Sequence, residues 1–273
     1  MTAVIVILVV LPVVSLGVLY LAQDAMVFPG SPPHMENHRL ADNTFPGSET
    51  RVELPDGTRV HGWFIRNGPG GRLPLLVYFG GNAEDVSWFL QDHPRYKGWS
   101  ILLMNYRGFG LSEGRPSEHD LLNDALFLYD RFVSREDVDS KRVVLMGRSL
   151  GTGVAAHVAS LRDPRGVILI SPYDSIAAVG QKAFPWLPVR LLLKHRFEVL
   201  SLAPRIQAPL LAVLAEGDEI IPPENSWKLV KAWGGPVQVA TIQGADHNSV
   251  TWGPGYWEHV TEFLNTVRTL PEE

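Results

Sequence analysis

The chain has 273 residues, 45% hydrophobic and 19% charged, with a net charge of −5 at neutral pH. That balance suits one large folded domain or two small ones and excludes a disordered chain, while the acidic charge argues against nucleic acid as a partner. The complete lack of cysteine excludes disulfides, thiolate catalysis and cysteine-ligated zinc.

Residues 3–22 carry no charged side chain and consist mainly of Val, Ile, Leu and Ala. A run of about 20 such residues is long enough to cross a bilayer as a helix. No Lys or Arg precedes Arg39, and Tyr20-Leu21-Ala22 is a poor cleavage site. The segment therefore reads as an uncleaved single-pass membrane anchor over residues 1–24; a cleaved signal and a buried N-terminal helix are the alternatives. With the α-amino group as the one positive charge nearby, the remaining chain is expected on the extracytoplasmic side. Residues 25–48, which contain Phe28-Pro29-Gly30-Ser31-Pro32-Pro33, read as a linker, and residues 49–273 as the folded domain.

Within 49–66, two strands flank the turn Leu54-Pro55-Asp56-Gly57-Thr58. Short apolar runs without alternation follow at 75–79, 99–104, 142–146, 167–170 and 210–214. Such runs suit strands buried on both faces. Helical stretches separate them, as in 118–132, where Leu121, Leu122, Ala125, Leu128 and Tyr129 recur at helical spacing. The alternation predicts an α/β fold with a mostly parallel central sheet and helices on both faces. Residues 171–209 exceed what one crossover helix needs, so a small cap or lid is expected at about residues 173–203.

The run 143–146 leads into Gly147-Arg148-Ser149-Leu150-Gly151, a G-x-S-x-G pattern placed between a strand and a helix. A tight turn there holds the serine oxygen out at its tip, and the glycines Gly147 and Gly151 avoid collisions between strand and helix. A hydroxyl needs a base, a group that orients the base, and donors for the developing oxyanion. The acid is expected after a late strand, where Gly217-Asp218 offers Asp218, with Glu216 and Glu219 as fallbacks. The base is expected beyond the strand at 236–242, in Gly244-Ala245-Asp246-His247-Asn248, which selects His247. The oxyanion donors are the backbone N–H of Leu150 and that of Asn82 in Gly80-Gly81-Asn82-Ala83, with Gly81 or Ala83 as neighbours that could serve instead. His34 and His38 have metal-ligand spacing but lie in the linker, so no metal and no cofactor is expected. His259 falls on a final amphipathic helix as a surface residue.

These motifs resemble the α/β-hydrolases, in particular the branch of membrane-anchored serine hydrolases that includes protein depalmitoylases. The resemblance spans residues 23–263. It rests on Tyr78-Phe79-Gly80-Gly81-Asn82-Ala83, Asn105-Tyr106-Arg107-Gly108-Phe109-Gly110-Leu111-Ser112-Glu113-Gly114, the elbow, Phe184-Pro185-Trp186-Leu187-Pro188-Val189, Gly217-Asp218 and the His247 loop. It implies the same triad of Ser149, Asp218 and His247. One departure stands out: the family usually has His-Gly-Asn where this chain has Gly80-Gly81-Asn82. Ser171-Pro172-Tyr173-Asp174-Ser175 also resembles a family segment and reads as lid or pocket structure.

A serine at the elbow points to acyl transfer, whereas an aspartate would point to haloalkane or epoxide opening. The expected activity is that of a serine hydrolase of the carboxylesterase, lipase or thioesterase type, acting on a small-molecule or lipid-like acyl ester. A thioesterase and then a peptidase are the nearest rivals, and a non-catalytic binding module is the alternative from a different class.

Overall fold

The computed structural model describes residues 11–270. Among them, eight strands form one mixed sheet: β1 Glu49–Glu53, β2 Arg59–Asn67, β3 Leu73–Phe79, β4 Trp99–Met104, β5 Val138–Arg148, β6 Gly166–Ile170, β7 Leu210–Ala215 and β8 Val237–Ile242. Their spatial order is β1-β2-β4-β3-β5-β6-β7-β8. The β1–β2 and β2–β4 pairs are antiparallel, and every pairing from β4 to β8 is parallel. All residues of β3, β4, β6 and β7 are buried. Burial on both faces is why these segments lack polar alternation.

The helices are α1 Leu11–Val27, α2 Met35–Thr44, α3 Glu118–Val133, α4 Leu150–Leu161, α5 Ile176–Ala183, α6 Val189–Leu192, α7 Pro223–Ala232 and α8 Tyr256–Thr269. Leu75, Val77 and Phe79 of β3 face a core layer with α3, α4 and α7. Leu76 and Tyr78 face the opposite layer, formed with α8, Ala41 of α2 and the 3-10 segment Val86–Tyr96. The ends of α3 follow simple rules: the Ser117 hydroxyl caps the N–H of Asp120, acidic Glu118 and Asp120 occupy the first turn, and Arg131 lies in the last.

The expected transmembrane helix requires correction. Among the described residues, no helix is long and apolar enough to cross a membrane. Helix α1 has 17 residues, and residues 1–10 of the expected span lie outside the described residues. What α1 does is pack against the cap: its Gln23 is buried and bonded to the backbone of Leu192 and Lys194. Leu16, Leu19 and Val27 of α1 border a cavity that Leu187, Leu192 and Leu193 also line. In the stretch expected as a linker, α2 forms and its His38 reaches Asp85 across a buried contact of 3.2 Å.

Candidate active site

Strand β5 ends at Arg148 and α4 begins at Leu150, so Ser149 alone makes the turn between them. Its backbone lies in the left-handed region, with φ 51° and ψ −119°. A non-glycine residue held there costs about 1–3 kcal/mol and persists only when its surroundings fix it. Here the Ser149 N–H donates to the Ile170 carbonyl at 2.9 Å, and its own carbonyl accepts from the Thr152 N–H and hydroxyl at 2.9 and 2.7 Å. The flanking glycines have a steric reason. A Cβ on Gly151 would run into the Phe79 carbonyl, and one on Gly147 into the Gly151 carbonyl.

Three predicted side chains, distant in sequence, meet at this turn. His247 Nε2 lies 3.0 Å from Ser149 Oγ, and His247 Nδ1 lies 2.9 and 3.1 Å from the two oxygens of Asp218. All three residues are buried. Burial pushes the Asp218 carboxyl up, but the hydrogen bond and charge of His247 and the Ile221 N–H outweigh it, so its pKa lies below the usual value. An ionised Asp218 only accepts hydrogen bonds, so Nδ1–H of His247 must donate to it. That tautomer leaves the Nε2 lone pair facing the Ser149 hydroxyl. Asp218 is itself held by the N–H groups of Ile220 and Ile221, at 3.1 and 2.7 Å from Oδ1.

The loop after β3 carries the expected second oxyanion donor. Gly81 N–H donates to Glu84 Oε2 at 2.9 Å, so that group is already engaged. Leu150 opens α4, where a first-turn N–H has no partner within the helix. Asn82, Ser149, Leu150 and His247 all border one cavity.

Two charged residues to which the sequence reading gave no role join the loops. Arg148 Nη1 donates to Glu84 Oε2 at 3.3 Å, and its Nη2 donates to the His247 carbonyl at 3.3 Å. Tyr78 completes the set by donating to Glu84 Oε1 at 2.7 Å. Burial disfavours the Arg148 charge, yet the negative Glu84 more than offsets it and its pKa is raised. This chain of contacts ties the Gly81–Asn82 turn to the His247 loop beside Ser149. The available signals were a charged residue inside the elbow and a glutamate three residues after Gly81.

The other candidates have different neighbours. Glu216 accepts from the Gly244 N–H, and Asp246 accepts from the N–H groups of Asn248 and Ser249, so both brace the histidine loop from outside the triad. Glu219 is exposed and His259 is half-buried on α8. The His34 ring lies 4.4 Å from that of Trp88, tilted by 59°. Ser171 is buried at the end of β6, and Asp174 accepts from Asn225 and Lys228 of α7, which anchors the base of the cap. Among the described residues no cluster of three metal-ligating side chains occurs.

The cavity above Ser149 has a volume of about 560 Å³. One side is formed by the cap residues Val179, Phe184, Leu187 and Leu192, another by Ile220 and Ile221 beyond Asp218, and a third by α1. The volume falls within the range of about 300–1,000 Å³ common to small-molecule sites. Aliphatic side chains dominate the walls, with Asn82, Arg148, Ser149, His247 and Asn248 at the elbow and Tyr20 and Gln23 on α1 as the polar lining.

The family model described as "Serine aminopeptidase, S33" matches residues 76–197. A protein of Mycobacterium tuberculosis, named only as uncharacterized, is 36% identical over 204 residues, covering 74% of this chain and 73% of its own. A yeast protein named as an uncharacterized membrane protein, from Saccharomyces cerevisiae, is 30% identical over 272 residues and 94% of each chain. The alpha/beta hydrolase domain-containing protein WAV2 of Arabidopsis thaliana is 28% identical over 78% of this chain and 77% of its own. Among solved structures, the acetyl xylan esterase of Paenibacillus sp. R4 superposes with a TM-score of 0.63 at 22% identity, covering 90% of this chain and 99% of that one. The Pyrococcus furiosus esterase PF2001 superposes at 0.65 and 19% identity, covering 87% and 97%. The elbow, the strand order and these relatives agree: the chain belongs to the α/β-hydrolase family.

Proposed function

We propose that the protein is a serine hydrolase that cleaves carboxylic esters of apolar acyl groups through an acyl-enzyme. The observation that carries this reading is the Ser149–His247–Asp218 relay at one end of an aliphatic cavity. Ser149 Oγ attacks the ester carbonyl carbon while His247 Nε2 takes its proton. The N–H groups of Leu150 and Asn82 hold the oxyanion. The carbon–oxygen bond to the alcohol breaks, and His247 returns the proton to the departing oxygen. Water then attacks the acyl-enzyme, again losing its proton to His247, and Ser149 leaves protonated. Asp218 holds the imidazole in the required tautomer throughout. No metal or cofactor enters these steps.

A fluorophosphonate probe tests the reading. Labelling of the folded protein at the peptide carrying Ser149, abolished by Ser149→Ala, is the expected outcome. Failure to label folded wild-type protein would overturn it. A panel of p-nitrophenyl esters, acyl-thioesters and aminoacyl amides then ranks esters against the thioesterase and peptidase alternatives, and esters are expected to lead.

A further inference from the structure

The inner face of α1 recurs with helical period. Leu16, Leu19, Tyr20, Gln23 and Val27 all border the cavity that contains Ser149 and His247. Positions 16, 20, 23 and 27 are three or four residues apart, the spacing that puts side chains on one face, and Leu19 lies beside them three residues from Leu16. On this face Gln23 is buried, Leu16, Leu19 and Val27 are half-buried and Tyr20 is 46% exposed, while on the outer face Val14, Val18 and Leu21 are 54%, 60% and 76% exposed. The helix is also fixed in place by polar contacts. Gln23 Oε1 accepts from the Lys194 N–H at 2.6 Å, and its Nε2 donates to the Tyr20 and Leu192 carbonyls at 2.8 and 3.4 Å. Asp24 contacts His195 Nε2 at 3.1 Å, and the ammonium of Lys194 lies 4.8 Å from the centre of the Tyr20 ring. Helix and cap therefore form one connected enclosure.

We infer that the inner face of α1 is the chain-length-setting wall of an acyl-chain site, with Leu16 and Leu19 as specificity-determining residues for straight aliphatic acyl groups. The inference rests on the ester-hydrolase reading above and adds the substrate class. From Leu16 to Val27 the wall runs about 16 Å at the helical rise of about 1.5 Å per residue, the length of an extended acyl chain of about a dozen carbons. Away from Arg148 and His247 at the elbow, the walls offer such a chain no charged side chain to desolvate and few donors to leave unpaired. A polar or branched acyl group would lose that match. Gln23 acts as a positioning residue, because its side chain holds the wall to residues 192–194 without reaching the elbow.

The test uses the full chain and p-nitrophenyl esters from acetate to palmitate. In the wild type, kcat/KM rises by about three- to fourfold per added methylene until the cavity is filled. Leu19→Trp shortens the accepted chain: activity on the decanoate falls at least about tenfold relative to acetate, the effect of losing a few buried methylenes. Leu19→Ala moves the preference to longer chains, which covers the case in which the bulky variant fails to fold. Leu21→Trp, on the outer face, keeps the wild-type profile. Gln23→Ala lowers kcat/KM for long esters, through KM, by a larger factor than it lowers kcat/KM for acetate. A second readout needs no turnover: laurate binding, measured by calorimetry, weakens in Leu19→Trp and not in Leu21→Trp. Ser149-dependent hydrolysis with both readouts blind to Leu19 overturns the wall and leaves the esterase reading standing. Laurate binding that depends on Leu19 without any Ser149-dependent hydrolysis does the reverse.

Discussion

The side-chain oxygen of Gln23 accepts a 2.6 Å hydrogen bond from the backbone N–H of Lys194, a residue 171 positions further along the chain. That contact joins α1 to the segment after α6, and residues of both border the cavity that Ser149 lines. The site thus draws on parts of the chain far outside the elbow: α1, the loop after β3, the cap, and the loops after β7 and β8.

Asp218→Asn is expected to lower kcat on a short ester by about 10,000-fold, because an amide facing Nδ1 favours the wrong imidazole tautomer. The fold should persist, since the change is nearly isosteric. Steady-state kinetics paired with a thermal melt checks this: large loss of turnover with little change in Tm is the predicted pattern.

Arg148 and Glu84 should act as a unit. Glu84→Gln weakens the hold on the Gly81 N–H, and Arg148→Met removes the link to the His247 carbonyl. Each is expected to lower kcat more than it raises KM. In a double-mutant cycle the two losses should fall short of additivity by about 0.5–3 kcal/mol, as for contacting residues. Simple additivity would mean that the loops are positioned independently.

Gly151→Ala is predicted to destabilise the protein by about 3 kcal/mol or to prevent folding, because the new Cβ meets the Phe79 carbonyl, which cannot move without shifting β3. Gly71→Ala meets nothing within 4 Å and should leave Tm nearly unchanged. Chemical denaturation of the pair separates a steric origin from a general intolerance of the glycine-rich turns.

Asp85 supplies a pH prediction. Its fully buried carboxylate accepts from the N–H groups of His34 and Ser87, at 2.7 and 3.0 Å, and from Asn105 and His38. Burial raises its pKa, but these donors prevail and the pKa lies below the usual value. A group depressed on folding adds stability above its unfolded pKa of about 3.9 and loses it as pH falls through the lower folded value. Asp85→Asn should therefore cost about 2 kcal/mol at pH 7, where donors lose their acceptor. In urea titrations the gap between variant and wild type should narrow progressively below about pH 4.

Much of this architecture was readable in the chain because local chemistry dictated it. The apolar runs became β3, β4, β6 and β7 since strands covered on both faces cannot afford polar alternation. The elbow was readable because its steric demands leave a local trace, glycines two residues either side of Ser149. Other parts had no local trace. Arg148 and Glu84 are 64 residues apart and meet only through sheet topology. The N-terminal segment misled for a physical reason: Leu16, Leu19 and Val27 border a cavity, and apolar side chains suit a cavity wall as well as a bilayer core. Gln23 and Asp24, at the end of that segment, were the distinguishing residues, and their partners became visible only once the cap was folded beside them.

The most direct test of the whole account is kcat/KM for p-nitrophenyl butyrate, measured on wild type and Ser149→Ala with both proteins shown to be folded by circular dichroism. The account predicts a loss of about 10,000-fold or more in the variant, the scale seen when a nucleophile that works with its base is removed. A Ser149→Ala protein that hydrolyses the ester at the wild-type rate would contradict it.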